Sequence, residues 1–391
     1  MPTDAATAAE FPLARWATQQ LDGLAQASGC PMPGGAQLLG ERAALNRFTV
    51  PARRSGGGKC HLLATHDGWI ALNLARDADR ELLPALFGER IEDTADLGEI
   101  AELVWAQDAA ALVARGREMG LALASADEEP AAPAAQWLLR TPGASAPRSA
   151  PLVVDLSALW AGPLCGHLLQ GAGAQVIKLE SSTRPDAMRE GDPAFFALLN
   201  QGKDSVTLDF TSAEGRGALL TLLTRADIVI EAARPRALEQ LGISAGALLA
   251  ADPGKLWITI TGHGASGTAA DWIGFGDDCG VAGGLSAAMA SAGGTMGLVG
   301  DAIADPLTGI FAARLGWEAW AAGNGGRLAL SMSGVVAEAL AVSRRQDSAA
   351  LDRDLRGWSA RAGKPFPAIA MREPQAPLHL RGADNARWLP C

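Results

Sequence analysis

The 391-residue chain has no tyrosine, no repeating G-x-y pattern and no C-x-x-C pair. Its 46 glycines and 22 prolines therefore do not indicate a collagen-like protein, and its 48% apolar residues argue against a disordered chain. The cysteines are widely scattered: Cys30, Cys60, Cys165, Cys279 and Cys391. Their spacing predicts neither a disulfide framework nor a metal site, and it favours a reducing, cytoplasmic compartment.

Basic residues and long apolar stretches are also scarce. Lysine and arginine total 33 against 43 aspartates and glutamates, a formal net charge of -10. This balance excludes the basic face that sequence-independent nucleic-acid binding requires. Two uncharged stretches, Leu156 to Ile177 and Cys279 to Gly300, are long enough for a bilayer, but glycine, proline, alanine and serine dominate or interrupt them. We therefore expect no nucleic-acid partner and no membrane association.

One segment, Asp127 to Ala150, is rich in proline and alanine and has no sustained periodicity. It predicts a linker over residues 127–150, between a small domain at 1–126 and a large domain at 151–340. In the first part, Ala5 to Ala27 has helical spacing, and HLLAT and WIALNL flank the turn residues at 66–68 of a predicted hairpin. Residues 341–391 are predicted to be a tail that packs on the large domain.

After the linker, short apolar strands alternate with helical segments. Strands are predicted at 152–156, 174–179, 205–210, 228–231 and 256–261, with helices at 164–171 and 215–224. This alternation predicts an α/β fold with a mostly parallel sheet, in which ligands bind at the carboxyl ends of the strands. The first such loop runs through Ser157 to Pro163, and its proline begins a helix. The N-terminus of this helix could bind an anion; the alternative is that the loop is an ordinary connection between strand and helix.

Five ordered motifs of the second half resemble those of the class III CoA-transferases. They are VVDLSALWAGP (153–163), GAQVIKLE (173–180), NQGKDSVTLDF (200–210), ADIVIEAARPRALEQLGI (226–243) and ITGHG (260–264). The resemblance implies a Rossmann-like, CoA-binding large domain, a smaller α+β domain and an interlocked homodimer. It also implies acyl-CoA and carboxylic acid substrates, with coenzyme A as a substrate and no bound cofactor.

The segment GGGKCHLLATHDGWIALNL (56–74) is similar to the small domain that family members carry after the large domain. Here the segment comes first. Family members close a glycine loop over the active site, so the resemblance implies that role for Gly56, Gly57 and Gly58. The alternative is flexible backbone that leads into a hairpin.

The catalytic residue of the family is an aspartate that begins a helix four residues before a glycine. Asp305 has Gly309 at that distance and is therefore the candidate nucleophile. Because Asp305 precedes Pro306, the pair is also typical of a helix N-cap and first turn. A helix N-terminus favours the ionised carboxylate, so we expect Asp305 to be charged at neutral pH.

The resemblance also places the CoA nucleotide near Leu159, Trp160, Ala161, Leu208 and Arg234. Core packing is the alternative for Trp160. Two further functions stay open beside acyl-CoA:carboxylate CoA-transfer: 2-methylacyl-CoA racemisation and a non-catalytic CoA-binding subunit. The histidine of the racemase is replaced by Phe275, although Asp277 or Asp278 could substitute for it as acid or base unless they only begin a helix.

Overall fold

The computed structural model describes residues 11–143, 149–233 and 236–389. The elements before the large sheet are helices α1 (Ala14–Ser28), α2 (Gly35–Leu45), α3 (Asp77–Glu81), α4 (Leu83–Phe87), α5 (Leu97–Trp105) and α6 (Ala109–Glu118), and strands β1 (Cys60–Ala64), β2 (Trp69–Asn73) and β3 (Ala122–Ser125). The predicted hairpin is confirmed, because β1 pairs antiparallel with β2 around the turn. Helix α1 lies within the segment predicted to be helical, whose residues 5–10 are outside the described ranges, and it ends at Gly29 in the left-handed region.

The three-stranded antiparallel sheet is buried on both faces. Ile70 and Leu72 of β2 pack against α4, α5 and α6, whereas Cys60, Leu62 and Ala71 face Val281 and Leu298 of the second half. Helices α5 and α6 are separate elements, because the Asp108 side chain accepts the Ala111 N–H and starts α6.

The larger sheet contains strands β4 (Ala135–Thr141), β5 (Leu152–Asp155), β6 (Gln175–Ser181), β7 (Asp204–Leu208), β8 (Ile228–Glu231), β9 (Leu256–Thr261) and β10 (Gly325–Ser331). Their order is β4-β10-β9-β8-β5-β6-β7, and only the β4–β10 pair is antiparallel within the sheet. The α/β prediction with a mostly parallel sheet and a smaller second sheet is confirmed.

The helices after β5 are α7 (Ala161–Gly171), α8 (Met188–Gly191), α9 (Pro193–Asn200), α10 (Ala213–Arg225), α11 (Arg236–Gln240), α12 (Ala245–Ala251), α13 (Gly276–Ala282), α14 (Leu285–Ser291), α15 (Ala304–Ala321), α16 (Met332–Ala360, with a break at Asp347) and α17 (Asn385–Trp388). Successive side chains of the central strand β5 point to opposite faces of the sheet and pack in different hydrophobic clusters. Val153 packs with α7 and α15, and Val154 packs with α10. Burial on both faces explains why these strands read as unbroken apolar runs.

Two segments pack across the predicted domain boundaries. Ala135–Thr141, in the middle of the segment predicted to be a linker, forms β4, and its backbone pairs with β10 across a register shift. Helices α1 and α2, in the segment predicted to be the small domain, pack in the core of the large sheet beside α15. The tail places Trp388 in the core under β7, where its indole N–H donates to Asp204. The division into domains stays a prediction.

In the described ranges, no helix combines the length and the apolar character that a membrane span needs.

Candidate active site

The sheet has a topological switch point between β5 and β8. The chain proceeds from β5 to β6 and β7 on one side, and then returns to β8, β9 and β10 on the other. In such sheets the loops that leave neighbouring strands in opposite directions open a crevice at the carboxyl ends. The loop from Leu156 to Trp160, predicted as a ligand loop, leaves β5 at this crevice.

Two buried ion pairs hold this loop. Lys178 on β6 donates to the Ser157 carbonyl and lies 3.0 Å from a carboxylate oxygen of Asp186. The same carboxylate accepts the Leu159 N–H at 3.1 and 3.2 Å, and Leu159 has a left-handed φ of 68°. Lys203 pairs with Asp155 at 2.9 Å, with both side chains buried. These contacts fix a strained loop conformation, which directs the Ala161 N–H into the crevice.

Asp305 lies opposite this loop, in the first turn of α15. Ile303 is the N-cap residue and Asp305 follows Ala304, so Asp305 does not cap the helix. Its carboxylate instead accepts the backbone N–H of Ala161. All other residues from 301 to 310 are buried, whereas Asp305 is half-buried and keeps access to solvent. The structure therefore brings together Asp305 and Ala161, two of the residues that the resemblance singled out.

The predicted charge of Asp305 needs correction. Burial raises its pKa to about 7; Arg42 opposes that shift, and the nearby Asp277 reinforces it. The helix N-terminus was expected to hold the carboxylate fully ionised, but desolvation outweighs the dipole and the single Ala161 N–H. The pKa of Asp305 consequently lies near neutrality, well above that of a free aspartate.

Arg42 on α2 supplies the positive charge of the site. Its guanidinium donates to both carboxylate oxygens of Asp301, at 2.8 Å for the Nε bond, and lies 4.8 Å above the Trp160 ring. Burial works against the charged form of Arg42, but Asp301, Asp277 and Asp305 raise its pKa above the usual value. Sequence reasoning missed Arg42 and Asp301, since nothing local marks two residues so far apart along the chain.

Two further carboxylates begin α13. Asp277 is half-buried and accepts the Ala302 N–H at 3.0 Å; burial, reinforced by Asp301, raises its pKa to about 6. Asp278 is fully buried and accepts the Phe275 N–H at 3.0 Å, which is the helix-start role considered for this pair. Burial also raises the pKa of Asp278, to about 7.

Gly276, the first residue of α13, allows α13 to approach α15. A Cβ at this position would lie 2.3 Å from Oδ2 of Asp305 and 2.2 Å from the Ala302 carbonyl. A residue with a side chain therefore does not fit at position 276 unless the Asp305 carboxylate moves. The glycine is therefore part of how the chain positions Asp305.

The glycine segment forms a turn beside these carboxylates. The Gly58 N–H donates to the Ser55 carbonyl at 2.8 Å, Gly58 has a positive φ of 74°, and Gly57 is exposed. The side chain of Ser55 hydrogen-bonds to Asp277. Gly56 to Gly58 thus lie near the site, one carboxylate away from Asp305, and their role as a closing loop stays a prediction.

Two of the predicted CoA contacts, Trp160 and Leu208, have buried side chains. Trp160 is 1% exposed, and its ring stands edge-on to Phe195 with centroids 4.8 Å apart, so it belongs to the core. The Leu208 side chain is buried in the core under α10, which leaves only its backbone near the crevice. Lys178 and Lys203, the basic residues near this loop, are buried in ion pairs with Asp186 and Asp155.

The remaining predicted CoA contacts are less constrained. Leu159 is half-buried at the crevice, and Arg234 lies outside the described residues. The contact of CoA with the 159–161 loop stays a prediction that rests on the position of this loop.

The fold and the site define an α/β protein with a solvent-accessible carboxylate at the switch point of its sheet. The chain belongs to CoA-transferase family III, whose sequence model matches residues 151–350.

Curated relatives of this chain carry CoA-transferase names. It is similar to succinyl-CoA–D-citramalate CoA-transferase of Chloroflexus aurantiacus, with 35% identity over 168 residues, 41% of this chain and 42% of that protein. It is also similar to succinate–glutarate CoA-transferase of Agrobacterium fabrum, with 31% identity over 186 residues, 44% of this chain and 46% of that protein. The chain thus spans less than half the length of these curated relatives. A solved CaiB/BaiF family protein from Brucella suis shares 27% identity over 55% of this chain and 58% of its own, with a TM-score of 0.45.

Proposed function

We propose that this protein transfers coenzyme A from an acyl-CoA to a free carboxylic acid, with Asp305 as the nucleophile. The supporting observation is the combination of access and positioning at this residue. Asp305 is the half-buried carboxylate in an otherwise buried segment, it accepts the Ala161 N–H, and it lies at the switch point of a family III fold. A carboxylate that only stabilised its helix would not need to face the crevice.

The proposed reaction consists of paired acyl transfers. The Asp305 carboxylate attacks the thioester carbon, the C–S bond breaks, and CoA leaves as a thiolate while a mixed anhydride forms. The thiolate then attacks the aspartyl carbonyl, which releases the donor acid and leaves an aspartyl-CoA thioester. The acceptor carboxylate attacks this thioester, and the thiolate released attacks the acceptor carbonyl of the new anhydride. This last step forms the product acyl-CoA and regenerates Asp305.

The Ala161 N–H would act on the aspartyl side of this chemistry. It already donates to the Asp305 carboxylate, so it can stabilise negative charge on the aspartyl oxygen when the thiolate attacks. Because the loop is held by Asp186 and Lys178, the donor needs little reorganisation during the reaction. The Gly56 to Gly58 turn is the proposed donor for the oxyanion on the substrate side, next to Asp277.

Arg42 would keep the nucleophile available. Without a cation, a carboxylate buried near Asp277 and Asp301 would stay protonated well above neutrality. Arg42 lowers the pKa of Asp305 against that tendency, and Asp301 holds the guanidinium in place. The pair therefore sets the fraction of enzyme that can attack a thioester.

The test is CoA exchange by the purified full chain and two variants, with a panel of acyl-CoAs and acids. Asp305→Asn should abolish exchange, because an amide cannot form the anhydride. The control Asp108→Asn, which keeps a capping side chain at α6, should retain it. Hydroxylamine added during turnover should convert Asp305 to a hydroxamate in the wild type. Exchange that survives in Asp305→Asn would refute the proposal.

One observation favours 2-methylacyl-CoA epimerisation as a second candidate. Asp277 and Asp305 are both half-buried, and burial places their pKa values at about 6 and about 7. Two such groups could serve as acid and base at an α-carbon. Deuterium uptake at the α-carbon without an acceptor acid would support this reaction.

Calorimetry that detects acyl-CoA binding, with neither exchange nor deuterium uptake, would instead indicate a non-catalytic CoA-binding subunit.

The substrates and assembly belong to the same proposal. Acyl-CoA and carboxylic acid are its two substrates, coenzyme A enters only as a substrate, and the protein is an interlocked homodimer. Light scattering on the full chain, with and without CoA, tests the dimer.

A further inference from the structure

Three potential metal ligands lie close together, two of them in α13 and the third in the loop after β9. A ring nitrogen of His263, a carboxylate oxygen of Asp278 and the Sγ of Cys279 lie within 4.8 Å of one another. The Cys279 Sγ is 3.9 Å from Oδ2 of Asp278. All three residues are at most 1% exposed. The proposed CoA transfer uses none of these groups directly.

His263 has the tautomer of a metal ligand. One ring N–H of His263 donates to the backbone carbonyl of Ile273. The Nε2 atom is buried without a hydrogen-bond partner, which assigns the donated hydrogen to Nδ1. Metal-binding histidines commonly donate one ring N–H to a backbone carbonyl and coordinate through the other nitrogen. His263 therefore directs an unused lone pair into the cluster.

Among residues 11–143, 149–233 and 236–389, no positively charged group hydrogen-bonds to Asp278 or Cys279. The hydrogen-bond donors to Asp278 are neutral: the Asn73 amide at 2.7 Å and the Phe275 N–H. Cys279 contacts the carbonyl oxygen of Gly262 at 3.4 Å, and burial together with Asp278 raises the pKa of its thiol. A cation between these groups would offset the cost of burying the carboxylate and would replace the thiol proton.

Gly274 keeps the space between two of the ligand atoms free of a side chain. A Cβ there would lie 2.5 Å from the Cys279 Sγ and 3.0 Å from the His263 Nε2. Any other residue would push these two atoms apart. Residues 266–268, shortly after His263 in the same loop, are exposed.

We propose that His263, Asp278 and Cys279 bind one divalent transition-metal ion of the zinc type. The mixed nitrogen, sulfur and oxygen set suits zinc or cobalt better than magnesium or calcium, which prefer oxygen alone. On binding, the S–H bond of Cys279 breaks, a metal–sulfur bond forms, and the proton passes to solvent. The Gly262 carbonyl or a water completes a tetrahedral set.

The geometry requires a modest contraction. Metal–ligand bonds of about 2.0 to 2.3 Å place tetrahedral ligand atoms roughly 3.5 Å apart, so these side chains must close by roughly 1 Å. Side-chain rotation of His263 and Asp278 supplies that movement. The sequence predicted no metal because positions 263, 278 and 279 match no ligand spacing; the loop between β9 and α13 brings them together.

The test uses the full chain, stripped with a chelator and titrated with Co²⁺ as the probe. We expect one equivalent to bind, with a thiolate-to-cobalt charge-transfer absorption and a release of protons that includes the Cys279 thiol proton. Cys279→Ala should lose this absorption, and His263→Gln should weaken binding at least about tenfold, the usual scale for losing part of a site. Cys165→Ala, which removes another buried thiol, and His66→Ala, at an exposed acidic group, serve as controls that should bind as wild type.

Several results would overturn the proposal. They are no stoichiometric binding by the wild type, binding without the thiolate absorption, or loss of that absorption in either control. Because the core variants could misfold, X-ray absorption of the zinc-loaded wild type gives a second measurement. One sulfur neighbour with nitrogen and oxygen supports the site, and an all-oxygen shell contradicts it. Neither readout depends on CoA transfer, so the metal site and the proposed function can fail separately.

Discussion

Replacing Gly276 by alanine should separate positioning of Asp305 from its chemistry. The added methyl carbon would lie 2.3 Å from Asp305 Oδ2 and 2.2 Å from the Ala302 carbonyl. Ordinary contacts between such atoms need more than 3 Å, so α13 and the first turn of α15 must separate by roughly 1 Å. Displacement of a reacting group by this amount costs about 100-fold in rate. We therefore expect Gly276→Ala to lower kcat/KM for CoA exchange by about two orders of magnitude.

The same substitution has a small net effect on stability. Alanine is favoured over glycine in a helix by roughly 0.5 to 1 kcal/mol, whereas overpacking costs about 1 to 3 kcal/mol. Folding should therefore survive, with a loss of about 1 to 2 kcal/mol measured by urea unfolding. Gly280→Ala is the matched control, because its methyl carbon on the same helix would meet only Ile303 Cγ2, at 3.4 Å.

The assay compares exchange rates and hydroxamate formation at Asp305 for wild type and both glycine variants. Gly280→Ala should behave as wild type in both. If Gly276→Ala exchanges CoA at the wild-type rate, then close packing of α13 on the carboxylate does not position the nucleophile, and the reasoning is wrong.

Three further predictions concern the charge and the support of the site. The double variant Arg42→Met, Asp301→Asn removes the cation without leaving an unpaired buried carboxylate. It should raise the pKa of Asp305 and move the rising limb of the pH–rate profile above its wild-type midpoint near 7. An unchanged midpoint would contradict the role of Arg42. Because the pKa of Asp305 is raised on folding, the native state binds the extra proton and loses stability as pH rises from about 4 to 7. Asp305→Asn removes that loss, so it should be more stable than wild type at pH 8 by roughly 1 to 3 kcal/mol after solvent screening, and equal at pH 4; thermal melts at both pH values that show the same difference would refute this. Asp186→Asn should lower kcat more than it raises KM, because it loosens the loop that presents the Ala161 N–H and leaves the Ser157 carbonyl as the hydrogen-bond acceptor of Lys178. A change confined to KM would mean that the loop only binds substrate.

The sequence predicted those parts of the fold that depend on local pattern. Strands β5 and β8 are buried on both faces, so their apolar runs could be recognised directly. Strand β4 was not recognised, because an edge strand beside prolines, with a register shift against β10, shows neither alternation nor an apolar run.

The candidate site was predictable only in part. The resemblance singled out Asp305 and Ala161, and the fold brings them into contact. The role of Arg42 could not be predicted from the sequence, because its partner Asp301 lies 259 positions away along the chain. The packing of α2 against α15 brings the two residues together. The charge state of Asp305 was predicted wrongly because burial depends on the whole tertiary structure, whereas the helix dipole can be inferred from local sequence.

The most direct test of Asp305 as nucleophile follows one oxygen atom. In the proposed reaction, the acceptor acid leaves one of its carboxylate oxygens on the enzyme when CoA attacks the second anhydride. Turnover with an acceptor labelled with oxygen-18 should therefore place the label on Asp305, as read by mass spectrometry of the peptide that contains it. CoA exchange that proceeds while Asp305 stays unlabelled, or that labels another carboxylate, would contradict the account.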